Sequence, residues 1–159
     1  MQTFNTKLGF TFIELIITLA ILSIMASITM PLVQLNMQRS KEQKLAENLR
    51  KIRTAIDEYK TLSDEGRIKK NVDESGYPPS LEALVEGVED IKDIKKRKIY
   101  LLRKIPQDPI YADKLDKSNN WGIRSYQSTS DDPQEGDDVF DVYSLADGVG
   151  LNGEPYREW

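Results

Sequence analysis

One carboxylate, Glu14, stands inside the apolar run Phe10–Val33, where every other side chain is uncharged. A carboxylate near the centre of a bilayer costs roughly 2.5–3.5 kcal/mol, and less near the interface, so Glu14 needs a cationic partner. A cut just before Phe10 would create one, because the new α-amino group would lie four residues from Glu14. A second set of carboxylates comes late in the chain: Asp141, Asp147 and Glu154, the last two with Gly148, Gly150 and Gly153 between them. As a hydrolytic pair, Asp141 and Asp147 have no nucleophile signature beside them. The sequence contains no cysteine and no histidine, which removes disulfides, thiolate nucleophiles, Cys/His zinc sites and imidazole bases together.

The elements that position Glu14 follow from hydropathy. Phe10–Val33 is 24 residues long, and at about 1.5 Å per helical residue it reaches roughly 36 Å, enough to cross a hydrocarbon core of ~30 Å with some tilt. An ordinary secretory signal peptide, cut near Ala26 and Ser27, is the alternative, as is an uncleaved anchor helix. The first explains the run less well, since such apolar regions usually span about 7–15 residues and tolerate a carboxylate poorly.

Beyond it, Leu45, Leu49, Ile52, Ile56, Tyr59 and Leu62 recur at helical spacing with charged residues between them. Nothing between Val33 and Lys44 reads as a stop, so the spacing predicts one helix from the apolar run to a terminator at Gly66, with the stripe packed on a globular domain. Pro31 lacks an N–H and predicts a kink or local melting around Ser27–Pro31.

The segment Lys7-Leu8-Gly9-Phe10-Thr11-Phe12-Ile13-Glu14-Leu15 resembles the class III signal of type IV pilins and type II secretion pseudopilins. The resemblance implies cleavage between Gly9 and Phe10 by a dedicated prepilin peptidase, N-methylation of Phe10, and Glu14 as the acidic residue that pairs with the Phe10 amine of an adjacent subunit. Pro31, 21 residues after Phe10, matches the family's proline, beside which the helix can unwind during filament assembly.

Further on, Tyr77-Pro78-Pro79-Ser80 reads as a turn leading into a short helix capped by Ser80 and ended by Gly87. Lys92–Lys104 is rich in lysine and arginine and reads as a solvated face. Pro106-Gln107-Asp108-Pro109 is a turn, similar to one at the entrance to the family's sheet. Trp121–Thr129 and Val139–Leu145 read as strands, with Phe140, Val142 and Ser144 sharing a face of the second.

The stretch from Asp141 to Glu154 resembles the C-terminal loop of major pseudopilins, which holds a calcium ion. The resemblance implies Asp147 and Glu154 as acidic ligands, with the Leu145 carbonyl as a further oxygen. It departs from the family in having no glycine between Leu145 and Ala146, and in Glu154 where an aspartate is usual. The residues alone equally suit tight turns at Asp147-Gly148 and Asn152-Gly153, with Tyr156 and Trp159 packed on the sheet.

The formal charge is −4 over 159 residues, which argues against a dedicated nucleic-acid binder. It is unevenly spread: Arg39–Lys104 carries 17 basic against 13 acidic side chains, Ile105–Trp159 4 against 12.

The expected fold is α+β and pilin-like, a long N-terminal helix packed on a small antiparallel sheet. The expected division is a leader over 1–9, a transmembrane and assembly helix over 10–33, its amphipathic continuation over 34–66, and a globular region over 67–159. The resemblance implies a structural subunit of a type II secretion pseudopilus without enzymatic turnover. It also implies a bacterial inner-membrane location with the C-terminal region in the periplasm, and as partners further copies of the chain, the prepilin peptidase, the assembly platform and minor pseudopilins. The alternatives are a type IV pilus pilin and a membrane-tethered periplasmic binding module.

Overall fold

A computed structural model describes residues 9–111 and 121–159. The expected leader therefore lies, apart from Gly9, outside the described residues. Contacts divide the chain into two units, Met1–Arg39 and Ser40–Trp159, and helix α1 (Phe12–Asp64) contributes residues to both.

In the first unit α1 opens on Thr11. The Thr11 carbonyl accepts the Leu15 N–H at 3.2 Å, and its Oγ1 accepts the Glu14 N–H at 3.3 Å. Thr11 is thus the N-cap, and it satisfies one of the donors that a helix start leaves open. The apolar side chains that follow are uncovered by the rest of the chain: Phe12 is 80% exposed and Leu22 64%. A helix with so many exposed apolar side chains suits an apolar surrounding.

Three hydroxyls of the segment bond to carbonyls of the same helix. Thr18 Oγ1 donates to the Leu15 carbonyl at 2.9 Å, Ser23 Oγ to Leu19 at 2.8 Å and Ser27 Oγ to Ser23 at 2.9 Å. Pro31 removes the N–H that would ordinarily reach the Ser27 carbonyl. The segment nevertheless stays helical through Pro31, so the expected local melting is absent from this state.

In the second unit the predicted stripe is the core. Leu45, Leu49, Ile52, Ile56, Tyr59 and Leu62 are all buried, against Leu81, Leu84, Trp121, Val139, Val142 and Tyr156. The helix stops at Gly66, which takes φ +68°. The Gly66 N–H reaches the Ser63 carbonyl and the Arg67 N–H the Leu62 carbonyl, both at 2.9 Å, the paired bonds of a Schellman end.

Helix α2 (Leu81–Glu86) follows the Pro78-Pro79 turn, and Gly87 ends it at φ +78°. Ser80 has the extended backbone of a cap, yet its hydroxyl makes no capping bond, contrary to expectation. This six-residue helix is held instead by burial of Leu81 and Leu84. The Leu84 carbonyl also accepts two donors, the N–H groups of Leu101 and Leu102.

The expected antiparallel pairing is present, among the described residues as two two-stranded sheets. Strand β1 (Val88–Glu89) pairs with β2 (Lys98–Ile99), and β3 (Trp121–Arg124) with β4 (Asp141–Ser144), so that Gly122 faces Tyr143 and Ile123 faces Val142. Strand β3 ends well before Thr129 because the chain turns at Ser125, whose carbonyl accepts the Ser128 N–H at 3.1 Å. On β4, Val142 and Ser144 are buried on one face. Phe140, just outside the strand, stands edge-on to Tyr77 at 5.0 Å and to Tyr126 at 5.5 Å.

Candidate assembly site and C-terminal loop

Gly9 and Phe10 lie just before the helix, and both are exposed. A Cβ added to Gly9 would meet nothing within 4 Å, so nothing in the described chain requires glycine there. Glu14 is the third helical residue, on the first turn and exposed. A carboxylate at that place is favoured by the positive end of the helix dipole. Thr11 and Glu14 have the spacing of a capping box, a signal present in the sequence and overlooked in reading it. Pro31 lies 17 residues further along the same helix.

The basic stretch Lys92–Lys104 forms the tip and second strand of the β1–β2 hairpin, and its lysines and arginines are exposed. Arg97 Nε is bonded to Asp93 at 2.6 Å across the tip. Where the hairpin loop begins, Arg67 fastens it, donating through Nε and Nη2 to Asp90 at 3.1 and 2.6 Å. The Arg67 guanidinium, with the Lys92 N–H beside it, holds the Asp90 carboxyl below the usual range.

The C-terminal loop is built on positive-φ glycines. Gly148 has φ +115° and Gly153 φ +87°. Val149 and Pro155 form a bridge across the loop. Leu145, Asp147 and Glu154 are all exposed on it, and the Glu154 carboxylate accepts the Asn152 amide at 3.0 Å. Among the described residues no group of three acidic side chains is arranged to hold a metal ion. Tyr156 is buried, and its ring stands 5.5 Å from that of Trp159, so both aromatic residues pack inward as the tight-turn reading expects.

The residues that fasten this loop were not picked out from the sequence. Glu42 Oε1 accepts the Leu151 N–H at 3.0 Å and the Tyr156 hydroxyl at 2.9 Å. Arg53 donates to Asp141 Oδ1 at 2.7 Å, to the Val142 carbonyl at 2.9 Å and to the Trp159 carbonyl at 2.7 Å. Asp141 also takes Arg124 at 3.2 Å, so two guanidinium groups hold it in a structural role. The signal for Glu42 was its place three residues before Leu45, an acid on the apolar stripe.

Residues 5–30 match the family described as the prokaryotic N-terminal methylation motif. Along most of its length the chain is similar to the type II secretion system core protein G of Klebsiella pneumoniae, at 28% identity over 156 residues, covering 95% of this chain and 93% of that protein. It is similar also to the type II secretion system core protein G of Vibrio cholerae serotype O1, at 28% over 112 residues and 69% of each chain. No solved structure matches it.

Proposed function

We infer from these findings that the chain is a pseudopilin, a structural subunit of a type II secretion pseudopilus. The observation that carries this is the pairing of the methylation motif with an uncovered apolar helix, in a chain similar to core protein G over nearly its whole length. The subunit works by assembly and not by turnover.

In this reading the apolar half of α1 anchors the chain in the inner membrane, with the Ser40–Trp159 unit in the periplasm. A prepilin peptidase cuts between Gly9 and Phe10 and methylates the Phe10 amine. The exposure of both residues, and the lack of any steric need for glycine at position 9, support recognition of Gly9 by a processing enzyme. Glu14 then meets the Phe10 amine of a neighbouring subunit. In an apolar setting a lone carboxylate is costly, and this pairing offsets both charges and fixes the axial stagger between copies. Pro31 supplies the point at which the helix can loosen as the subunit moves from membrane to filament. The assembly platform and minor pseudopilins are the further partners of this cycle.

The test is intact-mass and N-terminal peptide analysis of the protein from its native membrane, beside cells lacking the prepilin peptidase. N-methyl-Phe10 that disappears in those cells is the expected result. Retention of Met1–Gly9, or a cut near Ala26, would return the chain to the anchored or secreted binding proteins.

A further inference from the structure

In the family that this sequence resembles, the C-terminal loop is held by calcium, and the loop observed here is differently furnished. Glu42 is 7% exposed and lies on the α1 stripe that forms the core. Its Oε1 receives two donors from the loop, the Leu151 N–H and the Tyr156 hydroxyl. Calcium gathers six to eight oxygen acceptors around itself. Toward α1 this loop presents the reverse, hydrogen-bond donors aimed at an anion.

Three of the loop's carbonyls are engaged within the loop. Gly148 accepts the Tyr156 N–H at 3.2 Å, Gly150 the Gly153 N–H at 3.0 Å, and Glu154 the Gly150 N–H at 2.9 Å. The glycines also have reasons of their own. A Cβ on Gly150 would come within 2.6 Å of the Trp159 ring, and Gly148 and Gly153 occupy the left-handed region.

We propose that this loop is closed by Glu42, with Arg53 anchoring its two ends, and that it keeps its form without a metal ion. Glu42 is a positioning residue: its buried carboxylate supplies from within the chain the fixed charge that an ion would supply from solution. The loop N–H and the carboxylate are 109 positions apart in sequence, so the pair ties the end of the fold to the helix on which it rests. Arg53 does the same for Asp141, Val142 and Trp159. The inference stands on the loop's geometry, independently of the pseudopilin reading.

The experiment is thermal unfolding of the full chain in detergent micelles, in millimolar calcium chloride and in excess EGTA, with limited proteolysis of the loop as a second readout. The wild-type Tm is expected to agree within about 1 °C between the two, where an ion present at a hundred times its Kd would raise it by roughly 5 °C or more. Asp147→Asn combined with Glu154→Gln is expected to leave its own melting curves in calcium and in EGTA as coincident as those of the wild type. Glu42→Gln is expected to lower Tm by about 5 °C and open the loop to protease. Tyr156→Phe keeps the ring and removes the hydroxyl, giving a smaller drop that does not add in full to that of Glu42→Gln. It serves alone should Glu42→Gln not fold. A wild-type Tm that rises with calcium and loses that rise in the Asp147→Asn variant would overturn the proposal, as would Tyr156→Phe and Glu42→Gln loops as resistant as the wild type.

Discussion

The Ser144 hydroxyl donates to Oδ2 of Asp108, joining strand β4 to the Pro-Gln-Asp-Pro turn. Both residues are fully buried. Asp108 Oδ1 takes the N–H groups of Ile110 and Tyr111 at 2.7 and 3.0 Å, and Ser144 Oγ takes the Ala146 N–H at 3.1 Å. Just before Asp108, Trp121 Nε1 donates to the Pro106 carbonyl and Asn48 to the Gln107 carbonyl. The turn is a polar hub under the sheet, and its aspartate is a structural acceptor.

Asp108→Ala strands one buried and two part-buried donors at once, and the expected loss is about 3 kcal/mol, against about 1 kcal/mol for Ser144→Ala. Urea unfolding of the two variants beside the wild type measures both. Equal losses would show that the hub is not centred on Asp108.

Acid should act on the hairpin loop through Asp90. Its carboxyl titrates lower in the folded chain than the ordinary 3.8, chiefly because of the hydrogen bonds from Arg67. A folded pKa below the unfolded one means stability that is in full force above the unfolded value and is lost as pH falls through the folded value. Asp90→Asn is therefore expected to unfold more easily than the wild type at neutral pH, with the gap closing below about pH 3.8. Melting curves at neutral pH and below pH 3 test this, and a gap that widens in acid would contradict it.

Gly122 faces Tyr143 across β3 and β4, and a Cβ there would come within 2.3 Å of the tyrosine ring. Gly122→Ala is expected to cost about 1–3 kcal/mol by overpacking. Tyr143→Ala in the same chain should restore most of the loss. Failure of that rescue, in denaturant unfolding, would place the strain elsewhere.

Under the proposed assembly, Glu14→Val removes the carboxylate of the apolar run and keeps the helix. Insertion and removal of Met1–Gly9 are expected to continue, while filament yield falls about tenfold or more, since the Phe10 amine then faces an apolar partner uncompensated. Fractionation and electron microscopy of sheared filaments separate these effects. Normal filaments from this variant would end the pairing role of Glu14.

The α1 stripe was legible because helical burial repeats every three to four residues, and each of its six apolar members is in the core. Gly66 was legible because a helix end of this kind requires positive φ. Glu42 and Asp108 were not, because their partners Tyr156 and Ser144 lie 114 and 36 residues away, and sequence spacing says nothing of contacts at that range. The strands were drawn too long for a related reason: Ser125 and Asp138 leave the ladder to bond each other at 2.9 Å, which composition does not reveal. The methylation motif was readable in full, since its spacing is local.

Thr18, Ser23 and Ser27 each spend their hydroxyl on a carbonyl of their own helix. Hydroxyls paired in this way can exchange lipid neighbours for protein neighbours without breaking and remaking hydrogen bonds. In the proposed passage from bilayer to filament, these three hydroxyls would add nothing to the barrier, which would fall to the Glu14 carboxylate and the Phe10 amine at the start of the helix.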